Sequence, residues 1–145
     1  MVDFKYFTPT EVVFGKDSEA HLPDLIRKYG GTKVLIHYGG GSVVRSGLLD
    51  KVKSQLDAAG IPWIELGGVV PNPRLSLVYE GIDLCRREGV DFLLAVGGGS
   101  VIDSAKVIGY GLRYDGDVWD IYDGKHVPVA ATPVGVVLTI PASGS

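Results

Sequence analysis

Phe92-Leu93-Leu94-Ala95-Val96-Gly97-Gly98-Gly99-Ser100-Val101-Ile102-Asp103-Ser104-Ala105-Lys106 decides how this chain folds. Phe92 to Val96 carries no charge and runs into glycine, which is how a strand buried on both faces of a parallel sheet reads. Beyond the glycines, Val101, Ile102, Ala105, Val107 and Ile108 put apolar groups on one side of a helix. A strand that turns into a helix through Gly97, Gly98, Gly99 and Ser100 leaves the first helical N–H groups pointing outward. Together with the helix dipole, those donors favour a negative group such as a pyrophosphate. Glycine lets phosphate oxygens approach the backbone, because no Cβ stands in the way. Ser100 fits as N-cap or as a hydroxyl donor to phosphate. Asp103 is expected in the first turn, where a carboxylate suits the dipole.

Outward from this stretch the same alternation repeats. Phe4 to Phe7 and Glu11 to Phe14 read as extended strands near an edge, forming a β-hairpin or two edge strands around Thr8-Pro9-Thr10. Ser18 can cap a helix that runs to Tyr29 and stops at Gly30-Gly31. Lys33 to His37 is a strand ending at Tyr38-Gly39-Gly40-Gly41-Ser42. Leu48 to Ala59 is a helix with Leu49, Val52, Leu56 and Ala59 on one face, closed by Gly60. Trp63 to Leu66 is a third core strand, followed by the loop Val70-Pro71-Asn72-Pro73. Leu75 to Glu88 is a helix that Gly89 terminates. Asp117-Val118-Trp119-Asp120 suggests a short helical turn in a polar stretch, and Val127 to Thr132 and Val136 to Ile140 read as further β segments. Tyr38 and Trp119 read as packing groups. The predicted class is α/β, a Rossmann-like open parallel sheet with flanking helices, and residues 1–145 form one dinucleotide-binding domain.

Composition narrows the function. A net charge of −3 argues against nucleic acid as a partner. Glycine appears 21 times, well above its usual share of about 7%, and clusters after apolar runs. Cys85 is the only cysteine, which excludes a disulfide framework and points to a reducing, cytoplasmic location. No uncharged apolar stretch approaches the roughly 18 residues that span a membrane, and Met1-Val2-Asp3-Phe4-Lys5 is unlike a signal peptide.

Gly39-Gly40-Gly41-Ser42 and Gly97-Gly98-Gly99-Ser100 both follow predicted strands, at the edge where open α/β sheets bind ligands. The spacing is not the usual G-x-G-x-x-G, and no acidic residue ends the strand before Gly39. A carboxylate there would hold a ribose 2′-hydroxyl and repel a 2′-phosphate. Glycines, Ser42 and nearby Arg45 admit the 2′-phosphate instead, so NADP is expected over NAD. His21, His37 and His126 show no i, i+4 pair or other ligand spacing, so no metal site is expected among them. Cys85, within a helix, reads as a small core group. No catalytic residue is identified.

Val96-Gly97-Gly98-Gly99-Ser100-x-x-Asp103-x-Ala105-Lys106 resembles the signature of the iron-containing (group III) alcohol dehydrogenases. Pro71-Asn72-Pro73 upstream, the closing Thr139-Ile140-Pro141-Ala142-Ser143-Gly144-Ser145 and the opening Phe4 to Gly15 are similar to that family as well. Tyr38-Gly39-Gly40-Gly41-Ser42 resembles the NADPH-using butanol dehydrogenase and aldehyde reductase branch. The resemblance covers essentially the whole chain. It implies that Gly40, Gly41 and Ser42 lie by the adenosine 2′-phosphate and that Gly97, Gly98, Gly99 and Ser100 cradle the pyrophosphate. Asn72 and Asp103 would lie near the nicotinamide and its ribose, and Thr139, Ser143 and Ser145 on the adenine and phosphate side.

The resemblance further implies an all-helical domain holding iron or zinc, which these residues do not contain. The expected chain is thus the nucleotide-binding domain of an alcohol or aldehyde oxidoreductase, binding NADP(H) without turnover. A homodimer through the N-terminal strands and a separate C-terminal domain are the expected partners, and Val136 to Ile140 an exposed apolar face. The competing expectations are a stand-alone nucleotide-binding or assembly module without catalysis, and an unrelated flavodoxin-like domain.

Overall fold

Four apolar runs become four parallel strands in the computed structural model, which describes Asp3 and residues 7–141. They are β1 (Val34–Tyr38), β2 (Trp63–Leu66), β3 (Phe92–Gly97) and β4 (Val134–Leu138), in the order β2-β1-β3-β4. Register pairs Val34 with Trp63 and Phe92, His37 with Leu66 and Ala95, and Gly97 with Leu138. The helices are α1 (Leu22–Lys28), α2 (Gly41–Arg45), α3 (Leu48–Ala58), α4 (Leu75–Glu88) and α5 (Gly99–Gly111). Short 3-10 turns cover Ser18–His21 and Val118–Ile121.

Strand periodicity divides the core in two. Val34, Ile36, Phe92, Leu94 and Val96 pack against Ile26 of α1 and Leu49, Val52 and Leu56 of α3. On the other face Leu35 and Leu93 meet Val78, Ile82 and Cys85 of α4 and Ile108 of α5. Ala95 packs with Val69, Val101, Ile102 and Ala105 toward the carboxyl ends of the strands on that face. The sheet is therefore covered on both sides over β1 and β3, whose residues are almost all buried, while the edge strands β2 and β4 stay partly exposed. Gly89 ends α4 in the left-handed conformation at φ 68°, with the Val90 amide bonded to the Cys85 carbonyl. Gly81 and Gly111 sit where a Cβ would strike Ile108 and Ile82, so α4 and α5 pack closely.

Several expectations are corrected. Glu11 to Phe14 forms no strand and pairs with none among the described residues; Phe14 is 99% exposed, and Glu11 instead accepts hydrogen bonds from Lys28 and Tyr29. Of the expected strand Phe4 to Phe7, all but Phe7 lies outside the described residues, and Phe7 is unpaired. Ser18 does not cap a helix. A 3-10 turn starts behind Asp17, and α1 begins after His21 with Pro23 in its first turn, where a missing N–H costs nothing. Val127 to Thr132 is not a strand: Val127 and Val129 are 76% and 90% exposed, because alternation alone supplies no neighbouring strand. The segment expected over Val136 to Ile140 runs as β4 from Val134, since the Leu93 amide already bonds the Pro133 carbonyl. Its Val136, Leu138 and Ile140 are exposed.

Candidate functional site

The strand order reverses between β1 and β3, and both glycine loops leave the sheet at that point. Open α/β sheets form a crevice at such a switch point, at the carboxyl ends of the strands. The loops touch a common side chain. A Cβ on Gly39 would lie 3.6 Å from Val101 Cγ2, and one on Gly97 only 2.7 Å from it. Gly97 has φ 156°, a conformation that other residues rarely adopt.

Gly98 is the N-cap of α5, with extended backbone, and a Cβ there would meet nothing within 4 Å. Its carbonyl accepts from the Val101 and Ile102 amides. The Gly98, Gly99 and Ser100 amides precede those bonds, and no side chain caps them. They form a donor set at the positive end of a helix dipole. Ser100 is inside the helix rather than at its cap, a correction to the capping alternative; its hydroxyl stays half-buried at the loop. Asp103 lies past the first turn, because the helix begins at Gly99 rather than after Ser100, and it is exposed. Its carboxylate therefore faces a cleft and does not serve the helix dipole.

That cleft, of about 530 Å³, runs beside α5 and is lined by Pro73, Leu75, Asp103, Tyr110, Trp119 and Tyr122. Trp119 and Tyr122 stack at 5.4 Å between centroids. Trp119 is exposed at this wall, unlike a core packing group, whereas Tyr38 does pack against the α3 side of the core. Asn72 stands in the loop just before α4 with φ 58° and its side chain exposed. Thr139 follows β4, and its amide bonds the Gly97 carbonyl at 3.1 Å, tying the end of β4 to the first glycine loop residue. Ser143 and Ser145 lie outside the described residues.

At the other loop, residues 41–45 form a short helix that the glycine-rich sequence conceals. Gly40, Gly41 and Ser42 are exposed. The Arg45 guanidinium folds back over Gly41, occupying the direction a Cβ would take. A cation therefore sits over the Gly40–Ser42 turn.

One pair escaped the reading of the sequence. His37, fully buried on the α5 side of β1, bonds the Leu66 carbonyl through Nδ1 and the Ser104 hydroxyl through Nε2, both at 2.8 Å. A carbonyl only accepts, so Nδ1 carries the proton and the Ser104 hydroxyl donates to Nε2. Burial holds this imidazole below its ordinary pKa, with the Leu66 carbonyl pulling the other way. A histidine in an otherwise apolar buried strand was the available signal. Cys85 is buried, and burial pushes its thiol up to about 12, which leaves it unreactive.

The model of a family described as iron-containing alcohol dehydrogenase matches residues 9–145. The chain is 52% identical over 145 residues to a probable NADH-dependent butanol dehydrogenase of Bacillus subtilis, covering all of this chain and 37% of that protein. It is 42% identical over 149 residues to the NADPH-dependent aldehyde reductase YqhD of Escherichia coli, again covering 37% of it. The crystal structure of NADH-dependent butanol dehydrogenase A from Thermotoga maritima superposes with a TM-score of 0.94 at 43% identity. That match covers 97% of this chain and 35% of the other. The chain thus spans little more than a third of the length of these relatives.

Proposed function

The chain belongs to the iron-containing alcohol dehydrogenase family, and we propose that it is the dinucleotide-binding domain of an NAD(P)-dependent alcohol dehydrogenase or aldehyde reductase. The observation that carries this reading is the pair of glycine loops, side by side where the strand order reverses. The amides of Gly98, Gly99 and Ser100 hold the pyrophosphate, and the open face of Gly98 lets its oxygens approach. Ser100 donates its hydroxyl to the same group. Gly40, Gly41 and Ser42 receive the adenosine end. Asn72 and Asp103 orient the nicotinamide ribose beside the cleft, and Thr139, Ser143 and Ser145 line the adenine and phosphate side. When bound, the nicotinamide supplies the hydride donor or acceptor.

Relatives carry both NADH and NADPH in their names, so the choice rests on this chain's own residues. β1 ends in Tyr38 and glycines with no carboxylate after it, and Arg45 overhangs Gly41. That arrangement favours a 2′-phosphate, and NADPH is the proposed ligand.

No three His, Cys, Asp or Glu side chains converge as metal ligands among the described residues. Both ring nitrogens of His37 are already engaged. The iron of the family name does not fit the described residues. The proposed role of the described residues is nucleotide binding, without turnover of their own. Exposed Phe7, Val12 and Phe14 support pairing of two copies through the N-terminal segment. No helix among the described residues is long and apolar enough to cross a membrane; a cytoplasmic setting is part of the proposal and rests on the single buried cysteine.

Calorimetric titration with NADPH and NADH tests the reading. Saturable binding with NADPH the tighter ligand is expected. Tighter NADH overturns the 2′-phosphate assignment, and binding of neither overturns the function.

A further inference from the structure

We propose that the His37–Ser104 hydrogen bond is a positioning device that sets the two glycine loops at the spacing a dinucleotide needs. The proposal rests on the dinucleotide reading above, and its test separates the two.

His37 is the next-to-last residue of β1, directly before the segment that becomes the Gly39–Ser42 loop. Ser104 lies near the middle of α5, five residues past Gly99, in the helix whose start carries the Gly97–Ser100 loop. The hydrogen bond between them, 2.8 Å long and fully buried, therefore joins the two loop-bearing elements just below the crevice. Through Nδ1 the same ring holds the end of β2 at the Leu66 carbonyl. Beyond Leu66 the chain runs alongside the first loop, with the Gly68 amide on the Gly39 carbonyl and the Val69 amide on the Tyr38 carbonyl.

The far end of α5 is held by the Arg86 guanidinium on the Gly111 carbonyl and the Thr132 amide on the Gly109 carbonyl. Its loop-bearing half rests on the sheet through Val101, Ile102 and Ala105, contacts that carry no direction of their own. Ser104 makes the one side-chain hydrogen bond from α5 among the described residues. Breaking it would strand a buried imidazole nitrogen and a buried hydroxyl. A directional bond at this point ties the loop-bearing half of α5 to β1, and with it the distance between the Gly98–Ser100 amides and the Gly40–Ser42 turn. A ligand that spans both loops feels that distance.

The experiment compares the wild type with Ser104→Ala, His37→Asn and Ser104→Thr by titration with NADPH and NADH, well below each chain's melting temperature. Ser104→Ala removes the donor. His37→Asn keeps reach to the Leu66 carbonyl but not to Ser104. Ser104→Thr keeps the hydroxyl. The expected result is a dissociation constant raised about three- to tenfold in the first two variants, the range one net hydrogen bond spans. Ser104→Thr stays within about twofold of wild type. Lowered melting temperatures with unchanged dissociation constants reduce the pair to core structure and overturn the proposal. A wild type that binds neither nucleotide overturns the functional reading, and this proposal with it.

Discussion

Gly98→Ala separates ligand binding from folding. Gly98 has φ −101° and ψ −165°, backbone that alanine adopts without strain, and a Cβ there would meet nothing within 4 Å. Two small terms act on stability. Alanine is a poorer N-cap than glycine, at a cost of about 0.5–1 kcal/mol. The lower entropy of the unfolded chain returns about 0.4–1 kcal/mol. The net change is within about 0.5 kcal/mol, a melting shift of about 2 °C for a domain of this size. The new methyl projects from the loop that the proposal gives to the pyrophosphate and holds its oxygens away from the Gly99 and Ser100 amides. A loss of at least about tenfold in NADPH affinity, about 1.4 kcal/mol, should follow. Gly97→Ala is the contrast. Its φ of 156° and the 2.7 Å approach to Val101 Cγ2 make that substitution strained, at a cost of about 1–3 kcal/mol before any ligand is added. Thermal melting and calorimetric titration read both variants. A Gly98→Ala chain that binds NADPH as tightly as wild type would refute the reasoning, because the phosphate would then lie elsewhere.

Other perturbations test the rest of the account. Leu94→Ala removes a fully buried side chain from the α3 side of the sheet and should cost about 2–5 kcal/mol, read by chemical denaturation. Asp91 accepts hydrogen bonds from the Thr32 and Lys33 amides at 2.8 and 2.9 Å; burial works against its charge, but these bonds prevail and hold its carboxyl below the usual range. A depressed carboxylate stabilises the fold above its unfolded pKa and loses that contribution as pH falls through the folded value. Asp91→Ala should therefore cost about 1–2 kcal/mol near neutrality, with the gap to wild type closing below about pH 4 in denaturation series. Cys85 should react with a thiol reagent only on unfolding, at the rate at which the chain opens, and fast labelling of the native chain would contradict its burial.

Local patterns carried the fold further than they carried the site. Trp63–Leu66 and Leu75–Glu88 were legible to the residue, since apolar period and terminating glycine coincide there. The places of both glycine loops were legible as strands running into glycine, Phe92 to Val96 without a polar residue and Val34 to Tyr38 with only His37 among apolar groups. Val127 to Thr132 misled because a β-rich run becomes a strand only where a neighbour offers its ladder, and here β4 takes that position starting at Val134. The helix over residues 41–45 was hidden because glycine and serine mark a loop by propensity, while tertiary packing of Val43 into the core holds it helical. His37 shows the deeper difficulty. Its partners lie on β2 and α5, and the second is 67 residues away, so only the strand order brings them together. Asp103 was placed in the wrong turn because the helix start was set two residues late.

The central claim is that the crevice between β1 and β3 binds a dinucleotide, and amide shift mapping by NMR during an NADPH titration tests it most directly. The account predicts saturable shifts concentrated at residues 39–42 and 97–101, with the amino ends of the strands near Thr32 and Asp91 unmoved. Binding without shifts at either glycine loop, or no binding at all, would contradict it.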